Sequence, residues 1–221
     1  RSPMFNAYFN HYTACSALLL LTLCIRATAN AEPPPGWRHV VFEGETRYQL
    51  TDAGCWRASA RASASGLVRE QAVNLARTPW LNWRWRAAET PAWPAADERS
   101  KPGDDFLARV YVIKEGWVPW RTRAINYVWS RSHPPGSHWP NPYAGQAEMV
   151  VVQGPDGAAG PWRGFSRDVA ADFKRFHDME VDSVDAVAIM TDTDNTGVVA
   201  EACYELPSFS AQPQHAPPSE R

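Results

Sequence analysis

In three stretches of this chain the side chains sort by parity, an alternation that a helix of 3.6 residues per turn would scatter around its whole circumference, so each must be an extended strand with two unlike faces. After Thr78-Pro79, the residues Leu81, Trp83, Trp85 and Ala87 alternate with Asn82, Arg84 and Arg86. In Asp105–Lys114, Phe106, Ala108, Val110 and Val112 fall on one side and Asp105, Leu107, Arg109 and Tyr111 on the other. Arg123–Trp129 repeats the design, with Asn126 between Ala124 and Val128 on one face and Tyr127 and Trp129 on the opposite one. An amide on an apolar face needs partners, from the fold or from a ligand. A fourth stretch, Ser183 to Gly197, reads as a buried strand delivering a loop. Val184, Val187 and Ile189 are β-branched among alanines, and Asp192, Asp194, Asn195 and Thr196 then crowd four oxygen-bearing side chains together ahead of Gly197, which permits the positive φ that closes such a loop.

Shorter strands separated by turn residues complete an all-β pattern: Trp37–Phe42, Arg47–Thr51 and Cys55–Ala60, then Leu67–Glu70, Glu148–Gln153 and Glu201–Phe209. Ser63-Ala64-Ser65-Gly66 reads as a turn entering the strand at Leu67, and it lacks the Gly-x-Ser-x-Gly spacing of a nucleophile elbow. The stretch Ser132–Tyr143 (SHPPGSHWPNPY) is too rich in proline for secondary structure and reads as a rim or lid. Its His133 and His138 lack the further ligands of a zinc site. One short helix, capped by Ser166 and running to about His177, presents Val169, Phe173 and Phe176 on one face.

With 44% hydrophobic and 12% aromatic residues in 221, the chain can bury one sizeable core. Net charge is −2 with Lys and Arg scattered singly, so there is no basic stripe and nucleic acid is excluded as a partner. All eleven tryptophans lie between Trp37 and Trp162, as core or as sugar-stacking platforms. Ala14 to Ile25 is an apolar run too short to span a bilayer of about 30 Å. Small residues at Ala27-Thr28-Ala29 and Ala29-Asn30-Ala31 make it a secretory signal over residues 1–31, followed by a Pro-rich linker at 32–36. The expected location is periplasmic or secreted, with no stable membrane span after cleavage, and Leu23 before Cys24 argues against a lipid anchor. Residues 210–221 are expected to be a disordered tail. Signal removal leaves Cys55 and Cys203, either bridged in an oxidising compartment or buried as separate thiols.

The acidic loop admits two readings. Asp192, Asp194 and Thr196 stand at positions one, three and five with Gly197 at six, the spacing with which alternating oxygens wrap a calcium ion; a further ligand would come from Asp104, Asp105 or a carbonyl. In the other reading the side chains hydrogen-bond only their own backbone. A phosphotransferase of the D-x-D-x-T type is rejected, because that motif opens an α/β domain and this one lies near the end of a β chain.

Several blocks together carry a resemblance: TPWLNWRWR (Thr78–Arg86), GDDFLARVYV (Gly103–Val112), AINYVWS (Ala124–Ser130), WPNPY (Trp139–Tyr143), MVVV (Met149–Val152) and above all AIMTDTDNTG (Ala188–Gly197). From about Trp37 to Phe209 the chain resembles the exported bacterial proteins grouped as domain of unknown function 3047. It departs from them at Cys203-Tyr204-Glu205-Leu206, where the family pattern reads Trp-Tyr-Gly-Asp, so a ligand role of that aspartate does not carry over. The resemblance brings no activity, and it is similar at fold level to jelly-roll, galactose-binding-like and carbohydrate-binding modules. It implies an all-β, jelly-roll-like β-sandwich over residues 37–209 with one short helix near its C-terminal end. The function expected of it is non-catalytic binding of a saccharide or other polar cell-envelope ligand. Tyr111, Tyr127, Trp129, Trp139 and Tyr143 would stack on the ligand, and Arg84, Asp105, Arg109, Asn126, Asn141 and Asn195 would hydrogen-bond it. The same rings on a buried face would be core. The alternatives are a polysaccharide hydrolase with Asp105 and Asp192 as its acid pair, or a scaffold for other exported proteins.

Overall fold

The protein is described by a computed structural model over residues 32–157 and 159–215, so the expected signal peptide and residues 216–221 lie outside the described residues. In chain order its elements are β1 (Arg38–Glu43), β2 (Arg47–Leu50), β3 (Trp56–Arg61), β4 (Ala64–Asn74), β5 (Trp80–Arg86), β6 (Arg109–Lys114), β7 (Arg123–Trp129), β8 (His138–Pro140), β9 (Ala147–Gln153), β10 (Arg163–Asp168), α1 (Val169–His177), β11 (Ser183–Asp192) and β12 (Val199–Ser210). They form two sheets, one ordered β1-β4-β11-β6-β7-β9-β8 and the other β10-β5-β12-β3-β2. The described pairings are antiparallel except β7 with β9. This is a β-sandwich with one short helix, and β11 is an inner strand, paired with β4 on one side and β6 on the other.

The parity of the sequence decides which side chains meet. Val110 and Val112 of β6, Ile125, Tyr127 and Trp129 of β7, and Val187 and Ile189 of β11 join Leu81, Trp83 and Trp85 of β5 and Tyr204 of β12 in one core. Trp83 stacks on Tyr127 at 5.2 Å and on Phe165 at 5.3 Å between ring centroids, so these tryptophans and Tyr127 are core and not platforms. The opposite parity of the seven-stranded sheet, Tyr111, Ile113, Ala124, Ala186, Ala188 and Met190, forms a second apolar cluster on its outer face. Half of these residues are alanines, which leaves that face hollow.

Four local expectations change. Ser166 belongs to β10, and the helix is capped two residues later by Asp168, whose side chain accepts from the Ala171 amide. A serine can cap, but its hydroxyl is already engaged with Asn82 at 2.6 Å across the β5–β10 pair. The strand expected to begin at Leu67 begins at Ala64, because Ser65 and Gly66 pair with Thr191 and Met190 of β11. The Ser132–Tyr143 loop contains the short strand β8, which proline tolerates because β8 is an edge. In the stretch expected to be a disordered tail, the Gln214 and His215 amides donate to Asn82 and Ser166, covering the polar parity of β5. Cys55 and Cys203 are joined in a disulfide with their Cα atoms 5.7 Å apart, tying the start of β3 to β12. No helix among the described residues is long and apolar enough to cross a membrane.

Candidate functional site

The strand pair β11–β6 places Asp192 and Arg109 at the rim of the hollow outer face. Met190 lies opposite Arg109 in the register, and Asp192 is the last residue of β11. The Arg109 guanidinium grips Asp192 with two nitrogens, Nε to Oδ1 at 2.8 Å and Nη2 to Oδ2, while the Phe106 amide also donates to Oδ1 at 3.2 Å. Arg109 further donates to the Asp104 carbonyl and, at 3.3 Å, to the Tyr111 hydroxyl, and its guanidinium lies over the Phe106 ring. Burial opposes its charge, but Asp192 leads the groups that restore it and carry its pKa well above the ordinary value. Burial pushes the Asp192 carboxyl up, and Arg109 pulls it back.

A cleft of about 540 Å³, open solvent at its mouth included, lies against this pair. Its charged and polar walls are Asp104, Arg109, Asn126, Asn141, Asp192 and Asp194, with Tyr111 and Tyr143, and its hollows are left by Ala64, Ala144 and Ala147. Asn141 organises one side: its Nδ2 donates to Asp104 Oδ2 at 2.9 Å, and its Oδ1 accepts from the Tyr143 and Ala144 amides. Asp104 Oδ1 and Asn126 Oδ1 are buried with no hydrogen-bond partner among the described residues. Such acceptors are costly to leave unmet, and both belong to side chains that line the cleft.

The acidic loop is built by Asp105, which accepts from the Asn195 amide at 3.2 Å, from Asn195 Nδ2 at 3.0 Å and from the Thr196 amide at 2.6 Å. Gly197, at φ +71°, closes the turn with its amide donating to the Thr193 carbonyl. Tyr143 donates from its hydroxyl to Asn195 Oδ1. Carboxylate oxygens of Asp105, Asp192 and Asp194 lie within 4.8 Å of one another. Of the calcium ligands expected, Asp192 and Asp194 come together with Asp105, while Arg109 supplies a positive charge at Asp192 and Asp105 accepts three hydrogen bonds from the loop. The carboxylates of Asp105 and Asp192, expected as an acid pair, lie within 4.8 Å of each other, Asp105 bonded to the loop amides and Asp192 to Arg109 and the Phe106 amide.

Of the residues expected to contact a ligand, the fold gathers Arg109, Asn126, Asn141 and Tyr143 with Asp192 and Asp194, and sets Asp105 and Asn195 just behind them. It leaves out four. Arg84 lies on the outer face of the other sheet, paired with Glu205 at 2.8 Å and stacked on Trp162. Tyr127 is inside the core, donating to Asp172. Trp129 is on the core side of β7, beside a separate hollow with Trp93 and Arg131. Trp139 is wedged between Phe106 and His133. Asp104, considered only as a spare metal ligand, proves to be a cleft wall; its one signal was its place beside Asp105 ahead of the β6 run.

Burial raises Asp104 from 3.8 to about 6, with Arg109 opposing, and burial followed by the Asp105 charge raises Asp194 to about 7. A carboxyl whose folded pKa exceeds its unfolded one binds more protons when folded, so its contribution to stability is full below the unfolded pKa and is lost as pH rises through the folded one. For Asp104 the window runs from 3.8 to about 6. Asp104→Asn is therefore expected to match the wild type near the lower limit and to be more stable above the upper one, by about 2–3 kcal/mol at most. Urea midpoints of both proteins across that range check it, and a constant difference would contradict it.

The profile of a protein family of unknown function, DUF3047, matches residues 35–206. No curated protein matches. Among solved structures, the chain is similar to a family 11 carbohydrate-binding module from Clostridium thermocellum in complex with a mixed-linked tetrasaccharide, at 9% identity and a TM-score of 0.42, covering 85% of this chain and 95% of that one. It is also similar to the xyloglucanase domain of NopAA from Sinorhizobium fredii (8%, TM-score 0.46, 82% and 95% covered) and to an endoglucanase, cel12A, from Rhodothermus marinus (10%, 0.43, 80% and 92%).

Proposed function

The chain belongs to the DUF3047 family of proteins of unknown function, and from that premise we propose that it is an exported, non-catalytic protein that binds a saccharide or another hydroxyl-rich ligand of the cell envelope in the cleft beside Arg109. The reading rests on one observation: Asp104 Oδ1, 3.7 Å from Arg109 Nη2, and Asn126 Oδ1 are buried acceptors that receive no hydrogen bond, on two walls of the same cleft. Hydroxyl groups are the donors that meet such acceptors, and a sugar ring carries several of them. Export rests on the apolar run at residues 14–25.

Charge narrows the ligand. Asp104, Asp192 and Asp194 face one guanidinium, already engaged by Asp192, so a neutral sugar is favoured and a uronate or sulfated sugar meets uncompensated carboxylates. Titration calorimetry against a panel of neutral and anionic oligosaccharides tests this. A neutral binder is expected, weakened about tenfold or more by Asn126→Ala, since a buried ligand hydroxyl then loses its acceptor at a cost above about 1.4 kcal/mol. A panel without binders, or a binder indifferent to Asn126→Ala and Asp104→Asn, removes the reading. Asp104 and Asp194 share the cleft with raised pKa values, which favours hydrolysis as a second reading. Release of new reducing ends from a bound glycan, lost in Asp194→Asn, would replace binding with hydrolysis.

A further inference from the structure

The hairpin between β6 and β7 carries the two most exposed large apolar side chains among the described residues, Trp117 at 77% and Trp120 at 66%. Core burial accounts for Trp83 and Trp85, but nothing in the sandwich uses these two. The tip that holds them is built and closed. The Arg121 amide donates to the Val118 carbonyl and the Thr122 amide to the Pro119 carbonyl, giving a single 3₁₀ turn at Pro119–Arg121. The Gly116 amide donates to Thr122 Oγ1, and a Cβ on Gly116 would come within 2.5 Å of the Arg121 backbone, so the two limbs touch and only glycine fits between them.

A convex tip with two outward indoles does not enclose a small ligand; its counterpart is a deformable apolar medium. Its charges say which one. The segment from Lys114 to Arg123 has three cations and one anion. Lys114 is occupied by Asp185 at 3.2 Å, and Arg123 by the Trp120 and Thr122 carbonyls at 3.0 Å. Arg121 stays exposed, with its guanidinium 5.4 Å from the Trp117 ring centroid. That contact covers one face of Trp117, which disfavours stacking on a sugar, yet sets a cation beside an indole as interfacial residues sit at a headgroup layer. We propose that the Trp117–Trp120 tip docks the protein onto an anionic lipid surface, with the indoles in the interfacial layer and Arg121 against the phosphates. The tip extends past Lys114, whereas the cleft lies at the Arg109 end of the same strand, so docking leaves the cleft clear.

Cosedimentation with vesicles of phosphatidylcholine and phosphatidylglycerol, against vesicles of phosphatidylcholine alone, tests the proposal on the folded chain. The wild type should sediment with the anionic vesicles, and the Trp117→Ala/Trp120→Ala protein should bind at least about tenfold more weakly, or about 1.4 kcal/mol. Arg121→Gln should lose part of the binding that added salt removes from the wild type. Both variants should keep the wild-type melting temperature, since neither alters a buried side chain. A wild type left in the supernatant with both kinds of vesicle, a double variant that sediments like the wild type, or equal binding to the neutral vesicles overturns it.

Discussion

Replacing Arg109 with methionine is expected to destabilise the fold by about 3–5 kcal/mol, the usual result of removing one partner from a buried ion pair. Arg109 and Asp192 are each almost wholly enclosed, and the guanidinium also reaches the Asp104 carbonyl and the Tyr111 hydroxyl. Methionine fills much of the volume, so the loss reports charge more than a cavity. What remains is Asp192 with Asp105 and Asp194 close by and no cation bound to it. Its carboxyl, already pushed up by burial, then rises further because the group that pulled it down is gone. The folded state binds protons that the unfolded state does not, so the deficit should be largest above neutrality and shrink as pH falls toward about 5. Urea unfolding at both ends of that range checks the sign. A second replacement, Asp192→Leu, should restore part of the loss, as buried pairs replaced by apolar residues often do. A loss below about 1 kcal/mol, flat with pH, would mean that Arg109 is not what keeps the acidic rim folded.

Parity was the legible part of this chain, and its limits explain the errors. It placed Arg109 with Tyr111, and Asn126 opposite Tyr127 and Trp129, all as found. It could not say which parity faces the other sheet, because both faces of the seven-stranded sheet are apolar: large rings on the core side, alanines and Met190 on the outer side. Parity alone therefore offers Tyr127 and Trp129 to a ligand, whereas they belong to the core. Small residues mark the face that keeps room for one. Arg84 and Arg109 sit on equally patterned strands, yet β5 and β6 enter different sheets, and neighbours such as β4, β11 and β6 are far apart in sequence. That choice is made by long-range pairing, which no local window contains. The acidic loop is legible as a turn, with Gly197 at positive φ as expected; Asp105, 90 residues before Asn195, holds its amides and is beyond the reach of local spacing.

Breaking the Cys55–Cys203 disulfide should lower stability by up to about 5 kcal/mol, because the bridge closes a long loop and removes that freedom from the unfolded chain. The separation is 148 residues, which spans nearly the whole sandwich from the start of β3 to the middle of β12. The bridge also holds β12 where the site needs it. Tyr204, the next residue, donates from its hydroxyl to the Met190 carbonyl at 2.7 Å and meets Thr191 Oγ1 at 2.8 Å, gripping β11 just before Asp192. The Cys55→Ala/Cys203→Ala protein should accordingly show a much lower urea midpoint while the β3–β12 ladder keeps the register in the folded state. Reduction of the wild type should produce the same shift, and reoxidation should reverse it. Because the stabilisation acts through the unfolded chain, ligand affinity measured well below the melting temperature should change little. A midpoint unmoved by reduction would show that the ladder and the Tyr204 contacts, not the covalent link, account for the stability of this end of the sandwich.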